Sequence, residues 1–169
     1  MIRYIPSPRN LNWLVVFGCV FLMAVALYFQ HVMLLEPCPM CVFQRMAVIG
    51  TGVIAFVAAI HNPQQTGVRI YGATAALASL IGAGISIRHL YLQSLPEDQV
   101  PACGPGLDYL IDVFPMTDVI MMVLQGDGSC AEVLWSFLGI SIPGWVLLAF
   151  LGLIALTGYQ VVRKESQPA

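Results

Sequence analysis

Charge is what this sequence has least of. Only 9% of its 169 residues are Asp, Glu, Lys or Arg, against a hydrophobic share of 59% and a mean hydropathy of +0.82. Soluble domains carry charge on about a quarter of their residues and are nearer half apolar, so a soluble class is excluded. There is no run of Lys and Arg, and the net charge is −2, which excludes nucleic-acid binding through a basic patch. A second close pair of cysteines is absent too, which argues against a four-thiolate zinc site. What remains is an integral membrane protein with room for about four spans of roughly 20 residues each, plus one real loop.

Taken in order, residues 1–10 are polar, and Pro6 and Pro8 disfavour a helix before Asn10. An uncharged apolar run, 11–29, follows. Its positive lead and Ala24-Val25-Ala26 resemble a signal peptide, but the run continues through that motif and further spans follow, so a retained first helix is expected. A short loop at 30–41 holds Glu36, Cys38 and Cys41, and a second span at 42–60 is interrupted only by Arg45. Asn62-Pro63 and Gly67 mark a turn. The third span, 68–87, is rich in Gly, Ala and Ser, which permit close helix approach in lipid and suit the bundle centre. A long polar stretch at 88–142 carries four prolines, Cys103 and Cys130, and a last span at 143–162 opens on Pro143. The expected fold is an all-α integral membrane protein, one domain over 1–169, with a four-helix transmembrane bundle and two outer loops.

Positive charge sets the orientation. Arg3, Arg9, Arg69, Arg163 and Lys164 lie at the two termini and beside the 61–67 turn, which four spans place on one side. That side is expected to be cytoplasmic, with loops 30–41 and 88–142 outside.

Four of the five cysteines fall in those outer loops, where disulfides persist. Three readings compete: disulfides that brace the loops, a metal site, and a redox relay. Placement favours redox. Cys38 and Cys41 open a helix, and Arg45 lies one turn past Cys41 on the same face. A helix N-terminus and a nearby cation both favour thiolate, the form that carries out thiol exchange. Cys103 lies in Val100-Pro101-Ala102-Cys103-Gly104-Pro105-Gly106, a flexible setting open to a second protein. Cys130 follows Gly126-Asp127-Gly128-Ser129, another hinge, and Cys19 is a small buried hydrophobe. A lone arginine at membrane depth more often snorkels to the headgroups, but the spacing of Arg45 from Cys41 points to function. His89 stands evenly between interface anchor and site residue, and Arg88 reads as an anchor. Met116 to Gln125 is apolar and too short to span. Pro115 can open it and Gly126 can close it, giving a short helix either on the membrane surface, where it would hold the Cys130 segment near Cys38 and Cys41, or packed on the top of the bundle.

These residues resemble the DsbB family, the quinone-dependent membrane oxidases that regenerate the periplasmic oxidant DsbA. The likeness runs through Phe29-Gln30-His31-Val32-Met33-Leu34-Leu35, Pro37-Cys38, Cys41, Arg45, His89 and Cys103. It continues from Gly126 to Ile140, with Cys130-Ala131-Glu132 and Trp135-Ser136-Phe137-Leu138-Gly139. It implies a bacterial inner-membrane protein with both termini cytoplasmic, a DsbA-like thioredoxin-fold partner, and electrons delivered to ubiquinone, with menaquinone the alternative. It further implies a Cys103–Cys130 disulfide attacked at Cys103, attack of the freed Cys130 on Cys38, and Cys41 leaving as a thiolate beside the quinone. Arg45 and His89 would line the quinone pocket, and no metal is implied. Pro39-Met40 and Cys103-Gly104-Pro105-Gly106 depart from the family pattern and bear on the potential of the first pair and the fit to a partner. The rivals are a structural membrane protein with stapled loops and an enzyme of the vitamin K epoxide reductase type, whose active pair lies at a later span.

Overall fold

A computed structural model describes residues 7–101, 104 and 107–163. Four of its helices are long and apolar enough to cross a membrane: α1 (Pro8–His31), α2 (Pro39–His61), α3 (Gln65–Gln93) and α7 (Ile142–Val162). The chain is therefore an all-α, multi-pass membrane protein. Between α3 and α7 lie a single 3-10 turn, Glu97–Gln99, and three short helices, α4 (Leu107–Val113), α5 (Met116–Gln125) and α6 (Gly128–Ala131). A two-residue hairpin, β1 (Ser136–Phe137) with β2 (Ile140–Ser141), leads into α7.

Helix α1 starts at Pro8, earlier than the prolines suggest. Proline is tolerated at the first helical position, where its missing N–H has no partner to lose, and Ser7 Oγ accepts from the Asn10 N–H at 3.2 Å. At its other end α1 runs through Gln30 to His31, so the first loop is shorter than expected. Helix α3 likewise continues to Gln93, well past residue 87. Arg88 and His89 therefore sit inside the helix, not at its end.

The helices pack in the order α1, α2, α3, α7, with α3 against both α2 and α7, and α1 and α7 touching only lightly. Small residues on α3 make the centre dense. Gly82 faces the buried ring of Phe150, and a Cβ there would lie 2.2 Å from Phe150 Cζ. Thr51 and Ser79 hydroxyls meet at 3.1 Å between α2 and α3, each also bonded to a carbonyl one turn back. At the end away from the cysteines, Gln160 Nε2 donates to Asn12 Oδ1 at 3.0 Å, tying α7 to α1.

At the cysteine end, α5 covers the bundle. Pro115 is its N-cap, and Gly126 ends it with φ +82, where a Cβ would strike Leu92. Val119 and Val123 face inward onto Met40, Ile85, Leu92 and Leu110, while Met116 and Met121 point outward. Arg88 donates from Nε to Leu124 O at 3.2 Å and from Nη2 to Gln125 O at 3.1 Å. It is thus a cation on the negative end of α5 and fixes that helix to α3, a more specific task than interface anchoring. The hairpin turns on Leu138 and Gly139, both at positive φ, and Trp145 Nε1 donates to Phe137 O at 3.2 Å.

Candidate active site

Cys38 is the N-cap of α2 and Pro39 is its first residue, so the Cys-x-x-Cys motif is the first turn of a helix. Cys38 Sγ accepts from the Cys41 N–H at 3.3 Å, a capping bond made by sulfur, and donates to Cys41 Sγ at 2.9 Å. Cys38 is 9% exposed, and Cys41 is half-buried on the same side.

Cys130 comes to this pair from above. Asp127 caps α6, its Oδ1 accepting from the Cys130 N–H at 3.3 Å and from Ser129 Oγ at 2.5 Å. The Cys130 thiol is fully buried and lies beside Cys38. The neighbouring Cys38 thiol, then burial, hold the Cys130 thiol well above its ordinary range. The Cys38 thiol is pushed up to about 12: the contact with Cys130 works downward, but the contact with Cys41 and burial outweigh it. Crowded, dry sulfurs cannot all carry charge. Cys103 lies outside the described residues.

Two further side chains converge on Cys38 and Cys41. His89 is 2% exposed, so it is not an interface anchor, and its Nε2 lies 3.7 Å from Cys38 Sγ. Its Nδ1 is 3.4 Å from Gln44 Nε2, and Gln44 is itself buried. Arg45, one turn after Cys41, is half-buried. It donates from Nη1 to Gln30 Oε1 and from Nη2 to Ala26 O at 3.1 Å, both on α1 and both neutral acceptors. Gln44 and Gln30 carried no role in the sequence reading. Their signal was a polar side chain inside, or at the edge of, an apolar run.

Cys38, Cys41, Arg45 and His89 line one end of a cavity of about 720 Å³ between α1, α2 and α7. Most of the rest of its wall is aliphatic and aromatic, with Glu36, Gln44, Gln93, Ser129 and Glu132 also on it. Phe29 and Trp135 stand 4.9 Å apart between ring centroids, and Trp135 stacks on Phe137 at 6.0 Å. Phe21 and Leu148, on the outer faces of α1 and α7, also line it and are 67% and 49% exposed, so the cavity reaches the lipid-facing surface. An apolar slot of this size with a few polar groups at one end suits a flat ring carrying carbonyls and a hydrocarbon tail.

Residues 8–160 match the family described as Disulfide bond formation protein DsbB. The chain belongs to the DsbB family. A "Disulfide bond formation protein B" from Saccharophagus degradans is 52% identical over 96% of this chain and 98% of its own length. One from Nitrosococcus oceani is 50% identical over 93% of each, and one from Hahella chejuensis 47% identical over 92% and 94%. As a DsbB-family protein the chain is a quinone-dependent oxidoreductase of the membrane that generates disulfide bonds.

Proposed function

We propose that the chain reoxidises a periplasmic DsbA-like thioredoxin-fold protein and delivers the electrons to ubiquinone. The loop end would face the periplasm of a bacterial inner membrane, with both termini cytoplasmic, as the positive charges at Arg9, Arg69 and Arg163 favour. One observation carries the reading: Cys130 abuts Cys38, while Cys41, beside Arg45, opens on the apolar cavity.

The relay starts from two disulfides, Cys103–Cys130 and Cys38–Cys41. A thiolate of the partner attacks Cys103 Sγ and releases Cys130 as thiolate. Cys130 attacks Cys38 Sγ, and the Cys38–Cys41 bond breaks with Cys41 leaving as thiolate. The α2 N-terminus and the Arg45 guanidinium hold that charge, which makes Cys41 the better leaving group. The second partner thiol then resolves the mixed disulfide, freeing Cys103 to attack Cys130 and release Cys38. Cys38 and Cys41 surrender two electrons and close again as a disulfide. Bound ubiquinone supplies the two-electron, two-proton sink. Arg45 and His89 would donate hydrogen bonds at the polar end of the slot, with the aromatic side chains of Phe29, Trp135 and Phe137 on its apolar wall.

The test is to trap the middle of the relay. With Cys41→Ser, Cys38 has no disulfide partner of its own; its thiolate attacks Cys130 Sγ of the Cys103–Cys130 disulfide and releases Cys103, and peptide mass spectrometry after alkylation should find Cys38 joined to Cys130. Recovery of Cys103–Cys130 alone, with Cys38 always free, would count against the proposed order. Loops that are merely stapled would exchange nothing with a reduced partner.

A further inference from the structure

The Sγ atoms of Cys38 and Cys41 and a ring nitrogen of His89 all lie within 4.8 Å of one another. We propose that the reduced protein captures one thiophilic divalent cation, Zn²⁺ or Cd²⁺, on Cys38, Cys41 and His89. This is capture by the dithiol state, not a resident cofactor, and its consequence for turnover rests on the relay proposed above.

Two thiolates and one imidazole are a common tetrahedral zinc set, with Zn–S near 2.3 Å and Zn–N near 2.0 Å. Ligands so placed stand roughly 3.5–3.8 Å apart. His89 Nε2 and Cys38 Sγ are already at 3.7 Å, and the two sulfurs, at 2.9 Å, need to part by roughly 1 Å. Cys41 is in the first turn of α2, where a side-chain rotation suffices. All three residues line the cavity, so a fourth position is open to water. Gln44 provides the outer support such sites need. With its amide turned, its oxygen accepts from Nδ1–H of His89 and leaves the Nε2 lone pair directed at the ion. Glu36 and Glu132, exposed on the same cavity wall, favour entry of a cation over an anion.

Capture forms two metal–sulfur bonds and releases two protons, with no change of oxidation state. When Cys38 and Cys41 are joined as a disulfide there are no thiolates to bind, so the site exists in one redox state only. An ion held there blocks re-formation of the Cys38–Cys41 bond, and the protein waits in its reduced form.

The experiment uses the full chain in detergent, reduced by a phosphine, with no partner and no quinone. Cd²⁺ is titrated against a chromophoric chelator while thiolate-to-metal absorbance is followed. One ion should bind per reduced chain and none per oxidised chain, with Cys19→Ala unchanged in stoichiometry. His89→Ala and the bulkier His89→Gln should each weaken binding by about tenfold or more, and Gln44→Leu by about tenfold. Variants are compared by elution and melting first, and His89→Gln decides if His89→Ala does not fold. Equal affinity in a folded His89 variant, or equal binding by oxidised protein, would overturn the site. Ion binding without any quinone reduction would sink the relay and leave the site standing. Quinone reduction without ion binding would do the reverse.

Discussion

His89 Nε2 stands 3.7 Å from Cys38 Sγ although 51 residues separate them in the chain. The contact exists because α3 does not stop where its side chains turn polar. It runs to Gln93, and the extra turns carry His89 to the level of the α2 N-cap, under α5 and α6. Cys38 is thereby enclosed by Cys41, Cys130 and His89 at once.

Enclosure makes Cys38 a poor acid, which has a measurable pH signature. Its thiol moves from an ordinary value of 9.0 up to about 12. The folded chain keeps a proton that the unfolded chain releases earlier. This contribution to stability is complete below about pH 9 and is lost as pH rises toward about 12. Melting of the reduced protein should therefore fall across alkaline pH, and Cys38→Ala should flatten that slope. An identical slope in Cys38→Ala would contradict the assignment. At neutral pH, iodoacetamide should reach Cys41 before Cys38.

Arg45 is predicted to serve the cavity, not the fold. Its bonds to Gln30 and Ala26 aim the guanidinium beside Cys41. Losing a charged donor costs about 1.5–3 kcal/mol, so Arg45→Ala should raise the apparent KM for quinone at least about tenfold. Membrane insertion, checked by labelling of the termini, should not change.

Arg88 acts at one remove, through α5. Removing its bonds to Leu124 and Gln125 should cost about 1–2 kcal/mol and loosen α5, which covers the Cys130–Cys38 contact. Arg88→Ala should slow reduction of Cys38–Cys41 by the partner while leaving the KM for quinone unaltered. A change in that KM alone would place Arg88 at the cavity.

Gly82 tests the packing at the centre. An added methyl would meet the Phe150 ring at 2.2–2.7 Å, and both helices are anchored on either side. Gly82→Ala should lower stability by about 1–3 kcal/mol, seen as a lower melting temperature in detergent. A variant as stable as the parent would mean that α3 and α7 part more easily than their contact suggests.

Much of this was legible in the residues. Four apolar runs, two of them without a charge and two with a single arginine near the start, declared four helices, and Pro115 and Gly126 bracketed α5 because each acts on its own backbone. Cys38, Cys41 and Arg45 stood out because helical spacing alone puts them on one face. The rest depended on distant pairing. Gln30 meets Arg45 across 15 residues and Gln44 meets His89 across 45, and a polar side chain in or beside an apolar run does not name its distant partner. The start of α1 departs from the expectation because proline, a breaker inside a helix, is an opener at its first position. The hairpin at Leu138-Gly139 was missed because strands of two residues show no alternation.

The most direct test of the central claim mixes full-length protein, a reduced DsbA-like thioredoxin-fold partner and ubiquinone, and follows quinone absorbance beside the partner's thiol content. The expected result is one quinone reduced for each partner dithiol oxidised, abolished by Cys38→Ser, Cys41→Ser, Cys103→Ser or Cys130→Ser. Quinone absorbance that stays constant with all four cysteines intact would contradict it.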